Sequence, residues 1–188
     1  MSSGSGGLVI GILAVDDDMG IGSKGGLPWG HNKWDMKFFR KMTEGEAVVM
    51  GRKTWDSLPL KPLPNRMNFV LTSSKDLQEV DTLTNDCPLP EVPEIIYIIG
   101  GAHTLLHYKD YIDAMVLSKV KGSHGCDTFM PKELLEGKVL QRLEHPKRMS
   151  EGKLDVDFYV REGILGSFSA EVVKSYIESV IIEVCLGD

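Results

Sequence analysis

The order of the apolar runs constrains the fold of this chain more than any other feature. Leu8–Val15 is eight residues without a charge, the length and composition of a strand covered on both faces. Residues 47–50, Met67–Leu71 and residues 94–99 repeat the pattern, and polar or glycine-containing segments follow each run. After the first run come Asp16, Asp17 and Asp18, a glycine-rich loop, and then helical spacing from about His31 through Trp34, Phe38 and Phe39. A short helix is expected to start near Gly51, and another should extend from Ala102 to about Asp110. Strands alternating with helices imply right-handed crossovers and a mostly parallel sheet. Later, residues 114–120 and 139–143 read as strands. Residues 153–161 alternate Leu154, Val156, Phe158 and Val160 with Asp155, Asp157, Tyr159 and Arg161. The expected fold is a single α/β domain: a central mixed, mostly parallel sheet flanked by helices, with an antiparallel C-terminal edge.

The breakers fit this division. Pro59, Pro62 and Pro64 exclude regular structure before Met67, and residues 75–93 read as a long loop with at most one short strand. Residues 1–7 have linker composition and are expected to be a flexible tail; residues 8–163 form the domain, and 164–188 an extension. Within the extension, residues 169–186 place Val172, Val173, Tyr176, Ile177, Val180, Ile181 and Val184 along one face of a helix. The β-branched residues would equally suit an added strand. Such a helix either folds back on its own domain or offers a face for self-association.

Charge and cysteine usage exclude some partners. A net charge of −6 gives no general attraction for nucleic acid or an anionic membrane. Three scattered cysteines and five histidines in no ligand spacing point to a reducing, cytoplasmic setting and no metal. No run approaches the ~20 apolar residues of a membrane span.

Four stretches carry chemistry. Asp35 lies at the edge of the stripe bearing Trp34, Met36 and Phe39, where a carboxylate is costly unless partnered; turning aside to solvent is the alternative. Gly51-Arg52-Lys53-Thr54 ends a strand and opens a helix, which suits a phosphate: close backbone approach, free N–H groups, two cations and a hydroxyl. Leu71-Thr72-Ser73 and Ile99-Gly100-Gly101-Ala102 occupy the same place after other strands. Each alone is an ordinary turn or cap, but in a parallel sheet all three would converge on one edge. Gly20-Ile-Gly-Ser-Lys-Gly25 also matches the dinucleotide spacing G-x-G-x-x-G. Pro28 bars the helix that this fingerprint needs, and three aspartates would repel a pyrophosphate. It reads as a mobile loop.

Taken together, these motifs resemble the dihydrofolate reductase family from about Leu8 to Glu162. Ile21-Gly22 and Leu27-Pro28-Trp29 resemble its active-site loop, and Asp35 stands where the family carries its catalytic carboxylate. Met50-Gly-Arg-Lys-Thr-Trp55 with Ser57, Pro62-Leu-Pro-Asn-Arg66, Ile99-Gly100-Gly101 and Asp127-Thr128 with Pro131 are further matches. In relatives the two glycines are joined by a cis peptide. The resemblance implies NADPH-dependent reduction of dihydrofolate to tetrahydrofolate, in support of one-carbon and thymidylate metabolism, and binding of antifolate inhibitors.

It also implies residue roles. Asp35, Trp29 and Ser118 would be catalytic. Ile10, Leu27, Met36, Phe39, Ser57, Leu63, Arg66 and Ile99 would join Asp35 in holding substrate, with Arg66 on the glutamate α-carboxylate. NADPH would contact Ala14, Ile21, Gly22, Gly51, Arg52, Lys53, Thr54, Leu71, Thr72, Ser73, Ile99, Gly100, Gly101, Ala102, His103 and Thr104. The chain departs from many relatives in having Leu105 in place of a tyrosine and no helix signal in 75–93. A same-fold reductase of another heterocycle, of the riboflavin-pathway type, would lack both Asp35 and Arg66. A binding or assembly module that kept the fold without the chemistry is the remaining alternative.

Overall fold

The charge-free runs become the centre of the sheet. In the computed structural model, which describes residues 7–22, 27, 29–30, 32–91, 94–144, 153–163 and 169–186, β1 (Leu8–Val15), β3 (Ala47–Gly51), β4 (Met67–Leu71) and β6 (Ile95–Gly100) are mostly buried. The expected tail at 1–6, most of the glycine loop (23–26, 28 and 31) and the connection 164–168 lie outside the described residues. With β5 (Asp81–Leu83), β7 (Ala114–Lys119), β9 (Lys138–Gln141) and β10 (Val156–Arg161), these strands form one sheet in the order β5-β4-β3-β6-β1-β7-β10-β9. Pairing is parallel from β5 to β7, and β10 runs antiparallel to both β7 and β9.

The helices are α1 (Lys33–Thr43), α2 (Arg52–Ser57), α3 (Ala102–His107) and α4 (Ala170–Leu186). Several boundaries differ from the sequence expectation. α1 starts two residues late because Asn32 caps it, accepting the Asp35 N–H at 3.2 Å. α3 stops at His107, and a tighter 3-10 turn, Lys109–Tyr111, completes the connection. β9 ends at Gln141, and β10 begins only at Val156. Gly20–Gly22, expected to be loop, is a short strand β2 paired with β8 (Thr128–Phe129). The region 75–91 contains β5 and no helix.

Strand alternation divides the core in two. Ile10 and Ile12 of β1, Val48 and Met50 of β3, and Val116 of β7 pack with Phe38 and Met42 of α1. Val9, Val49, Ile98 and Leu117 point the other way and pack with Leu105, Tyr108 and Leu134. α4 belongs to the first layer. Its Val173, Ile177, Val180, Ile181, Val184 and Cys185 are buried in the same cluster as Leu154, Val156, Phe158 and Val160. Ser169 starts the helix, its Oγ accepting the Val172 N–H at 3.2 Å. Tyr176 Oη donates to the Lys41 carbonyl at 3.4 Å, Lys41 pairs with Glu183 at 3.0 Å, and Lys153 Nζ donates to the Cys185 carbonyl at 3.1 Å. Val172 and Tyr176, expected within the apolar stripe, lie on its flanks and are exposed. The helix therefore spends its face on its own domain, the fold-back outcome of the two considered. No described helix is long and apolar enough to cross a membrane.

Candidate active site

Three strand ends meet at one edge. β4, β3 and β6 are neighbours, with Gly51 opposite Leu71 and Met50 opposite Gly100. The motifs at Gly51-Arg52-Lys53-Thr54, Leu71-Thr72-Ser73 and Ile99-Gly100-Gly101-Ala102 therefore open side by side. The glycines are required there. A Cβ on Gly51 would lie 2.5 Å from Thr104 Oγ1, and Gly100 has φ +132°, disfavoured for any side chain. Thr54 Oγ1 stands 3.5 Å from the Cβ position of Gly100, and the Gly100–Gly101 peptide is cis. α2 and α3 begin at Gly51 and Gly101 with no side-chain cap. Lys53, Ser73 and His103 are exposed around this edge, and the His103 ring stacks on His107.

Arg52 is not an open cation. Its Nη1 and Nη2 donate to Asp76 Oδ1 and Oδ2 at 2.7 and 3.0 Å, and its Nε donates to Asp56 Oδ1 at 3.0 Å. Ser74 Oγ donates to Asp76 Oδ1, while the Ser74 N–H donates to Thr72 Oγ1 at 3.1 Å.

Beside this edge, on the α1 side of the sheet, sits the acidic group. Asp35 lies in the first turn of α1, and Ser118 lies near the end of β7, opposite Ala14 of β1. Burial pushes the Asp35 carboxyl above its ordinary range, and the Ser118 hydroxyl draws it part of the way back. Ser118 Oγ is buried and completes no hydrogen bond among the described residues, so the hydroxyl stands near Asp35 without a formed bond. Phe39, Leu58, Leu63 and Ile99 are partly buried against the same core layer. Arg66 lies 5.9 Å over the Phe39 ring. Burial lowers its pKa, and its Nε has no partner among the described residues. Asn68 fixes this segment: its Oδ1 accepts from Leu63 N–H, and its Nδ2 donates to the Leu63 and Arg66 carbonyls.

Other expected residues sit differently. Ile10 is 1% exposed inside the core and Leu71 belongs to the opposite layer, whereas Leu27 and Met36 face solvent. Ser57 is exposed, with its Oγ donating to the Thr54 carbonyl at 2.7 Å. Trp29 meets the His124 ring edge-on at 5.7 Å, and its Nε1 is buried without a partner among the described residues. Asp16 is buried at 2% exposure and ties the two loops together. Its Oδ1 accepts the Asp18 and Gly20 N–H groups, and its Oδ2 accepts the His124 N–H and the Cys126 thiol. Burial alone would raise its carboxyl; the four donors outweigh that and hold it below the ordinary value. The aspartate triplet, which on sequence suggests only repulsion towards phosphate, thus has a structural role. Asp16 followed four residues on by Gly20 was the one local signal of this role.

The arrangement joins a phosphate-suited strand edge to a part-buried carboxyl raised by burial, Asp35, and the family model for dihydrofolate reductase matches residues 8–162. The chain belongs to the dihydrofolate reductase family. It is 36% identical over 127 residues to the dihydrofolate reductase of Staphylococcus aureus (strain Mu50), covering 66% of this chain and 79% of that one. It is 34% identical over 187 residues to the viral dihydrofolate reductase of Saimiriine herpesvirus 2 (strain 488), covering 84% and 85%. Against the bifunctional dihydrofolate reductase-thymidylate synthase of Zea mays the identity is 36% over 145 residues, and the chain spans only 28% of that protein. Among solved structures, a dihydrofolate reductase from Enterococcus faecalis complexed with NADP(H) and RAB-propyl superposes with a TM-score of 0.65 at 25% identity, covering 83% of this chain and 97% of that one. The dihydrofolate reductase match stops short of α4.

Proposed function

We infer that this chain reduces dihydrofolate to tetrahydrofolate with NADPH. The observation that carries the reading is the Asp35 carboxyl, raised by burial and near Ser118, on the sheet face where Phe39 and Ile99 are also partly buried.

The residues present fit the cofactor. Gly51, Gly100 and Gly101 leave the backbone open between Thr54 and Thr104. Arg52 and Ser74 already cradle an oxyanion, the Asp76 carboxylate, with the donor set that a 2′-phosphate needs. In this reading Arg52, Lys53, Thr54, Thr72 and Ser73 hold the phosphates, and Ala14, Ile21 and the Gly100-Gly101 turn face the nicotinamide. NADPH supplies the hydride that reduces pterin C6.

The chain's own groups orient the substrate and move the proton. Asp35 accepts hydrogen bonds from pterin N3 and the 2-amino group, fixing the ring, with Ser118 Oγ as its neighbour. Its raised pKa keeps more of the carboxyl protonated than in an ordinary surface aspartate, which favours delivery of a proton to N5 through water. Phe39, Leu63 and Ile99 exclude solvent from the ring, and Trp29 closes the loop side. Arg66, held by the Asn68 clamp, pairs with the α-carboxylate of the glutamate. Antifolates with the same amino-pterin edge would use the same carboxylate. A reductase of the riboflavin-pathway type has no need of a carboxylate and an arginine so disposed. A reducing, cytoplasmic compartment suits three cysteines that form no disulfide.

Arg66→Leu tests the substrate's orientation. The variant is expected to raise KM for dihydrofolate by about ten- to a hundredfold, the loss of a charge-assisted pair of ~1.5–3 kcal/mol, with KM for NADPH unchanged. An equal loss of affinity for a pterin lacking the glutamate would remove Arg66 from that role.

A further inference from the structure

Arg52 holds more negative charge than a waiting phosphate site should. Asp76 takes both terminal nitrogens in a fork-to-fork pair at 2.7 and 3.0 Å, and Asp56 takes the Nε at 3.0 Å. Ser74 adds a third donor to the Asp76 carboxylate. Two carboxylates thus engage the Arg52 guanidinium on all three of its nitrogens, so Arg52 offers no unpaired edge to an incoming anion. Asp76 stands 24 residues from Arg52 in sequence, just beyond Ser73 and Ser74 after β4, and its side chain is 57% exposed. It can therefore leave Arg52 without opening the core.

We propose that Asp76 is a coenzyme-specificity residue, an internal competitor for Arg52 that weakens selection of NADPH over NADH. The proposal rests on the reading that Arg52 receives the 2′-phosphate. A phosphate entering here must exchange the Arg52–Asp76 pair for its own pair with Arg52, and it meets the displaced carboxylate as a like charge. A cofactor with a 2′-hydroxyl makes no such exchange: Arg52 stays paired, and Asp76 can accept a hydrogen bond from the hydroxyl. Arg52 and Ser74 hold the Asp76 carboxyl far below the ordinary carboxylate range, so it competes as an anion across the working pH range. The cost falls on the phosphorylated cofactor alone.

The test is equilibrium binding of NADPH and NADH, and of 2′,5′-ADP and 5′-AMP as probes without the nicotinamide, to the full chain and to D76N, R52A and D76N/R52A. D76N is expected to tighten NADPH and 2′,5′-ADP by about three- to tenfold, the range for an exposed but bidentate ion pair, without tightening NADH or 5′-AMP. In the R52A background the same substitution should give no such gain. An unchanged NADPH-to-NADH ratio in D76N, with R52A still selective against NADPH, overturns the competitor role and leaves the phosphate role of Arg52 standing. An equal gain in the R52A background reduces Asp76 to a general field effect and also overturns it. Equal weakening of both cofactors by R52A removes Arg52 from the 2′-phosphate, and the proposal falls with that reading.

Discussion

Asp35→Asn is expected to lower turnover at neutral pH by about 10²- to 10⁴-fold, the usual contribution of a positioned proton donor, while NADPH binding is retained. The same substitution should make the protein more stable. Burial raises the Asp35 carboxyl, so ionisation costs the folded state free energy. The stability due to this group is full below its ordinary value of 3.8 and is lost as pH rises through the raised folded value. Asparagine carries no charge to desolvate. Melting temperatures of the variant and the parent should therefore converge near pH 3.8 and separate towards neutral pH, the variant being higher. A near-parental rate in Asp35→Asn would remove the carboxylate from the mechanism. A variant that melts lower at neutral pH would contradict the burial argument.

Removal of α4 should have the largest effect on stability. Six of its side chains are buried in the layer that also holds α1 and β10. At ~1.5–3 kcal/mol for each buried aliphatic side chain, their loss rivals the ~5–15 kcal/mol by which a whole domain is stable. A chain truncated after Gly163 should fail to unfold cooperatively. Because truncation also strips the β10 face, Ile177→Ala is the milder arm: a loss of ~2–5 kcal/mol in denaturant melts, with KM values for both substrates unchanged. An unaltered midpoint for Ile177→Ala would mean that α4 does not pack as described.

The parts of this molecule that could be read from sequence are those governed by local pattern. Leu8–Val15 and its fellow runs read as buried strands because they are short, continuous and dominated by apolar residues, and the phosphate-suited turns followed from their positions at strand ends. The apolar stripe of residues 169–186 allowed a helix but not its destination, because the surface it covers is made by β10 and α1. β2 and β8 are too short and too rich in glycine and polar residues to leave a periodic trace. Asp16 and Asp76 were missed for a related reason. Asp16 is satisfied by local N–H groups together with the His124 N–H and the Cys126 thiol more than 100 residues away, and Asp76 by an arginine 24 residues earlier at the start of α2, partners that no local pattern announces. Ser118 beside Asp35 came from family resemblance and not from pattern, because a strand end and a helix's first turn share no sequence period.

One assay reaches the reaction directly: the decay of NADPH near-ultraviolet absorbance on mixing the full chain with NADPH and dihydrofolate, with and without methotrexate. The decay is expected to require both substrates, to be abolished by the antifolate and to be nearly absent in Asp35→Asn. No decay in a well-folded preparation that binds NADPH would contradict the reductase reading.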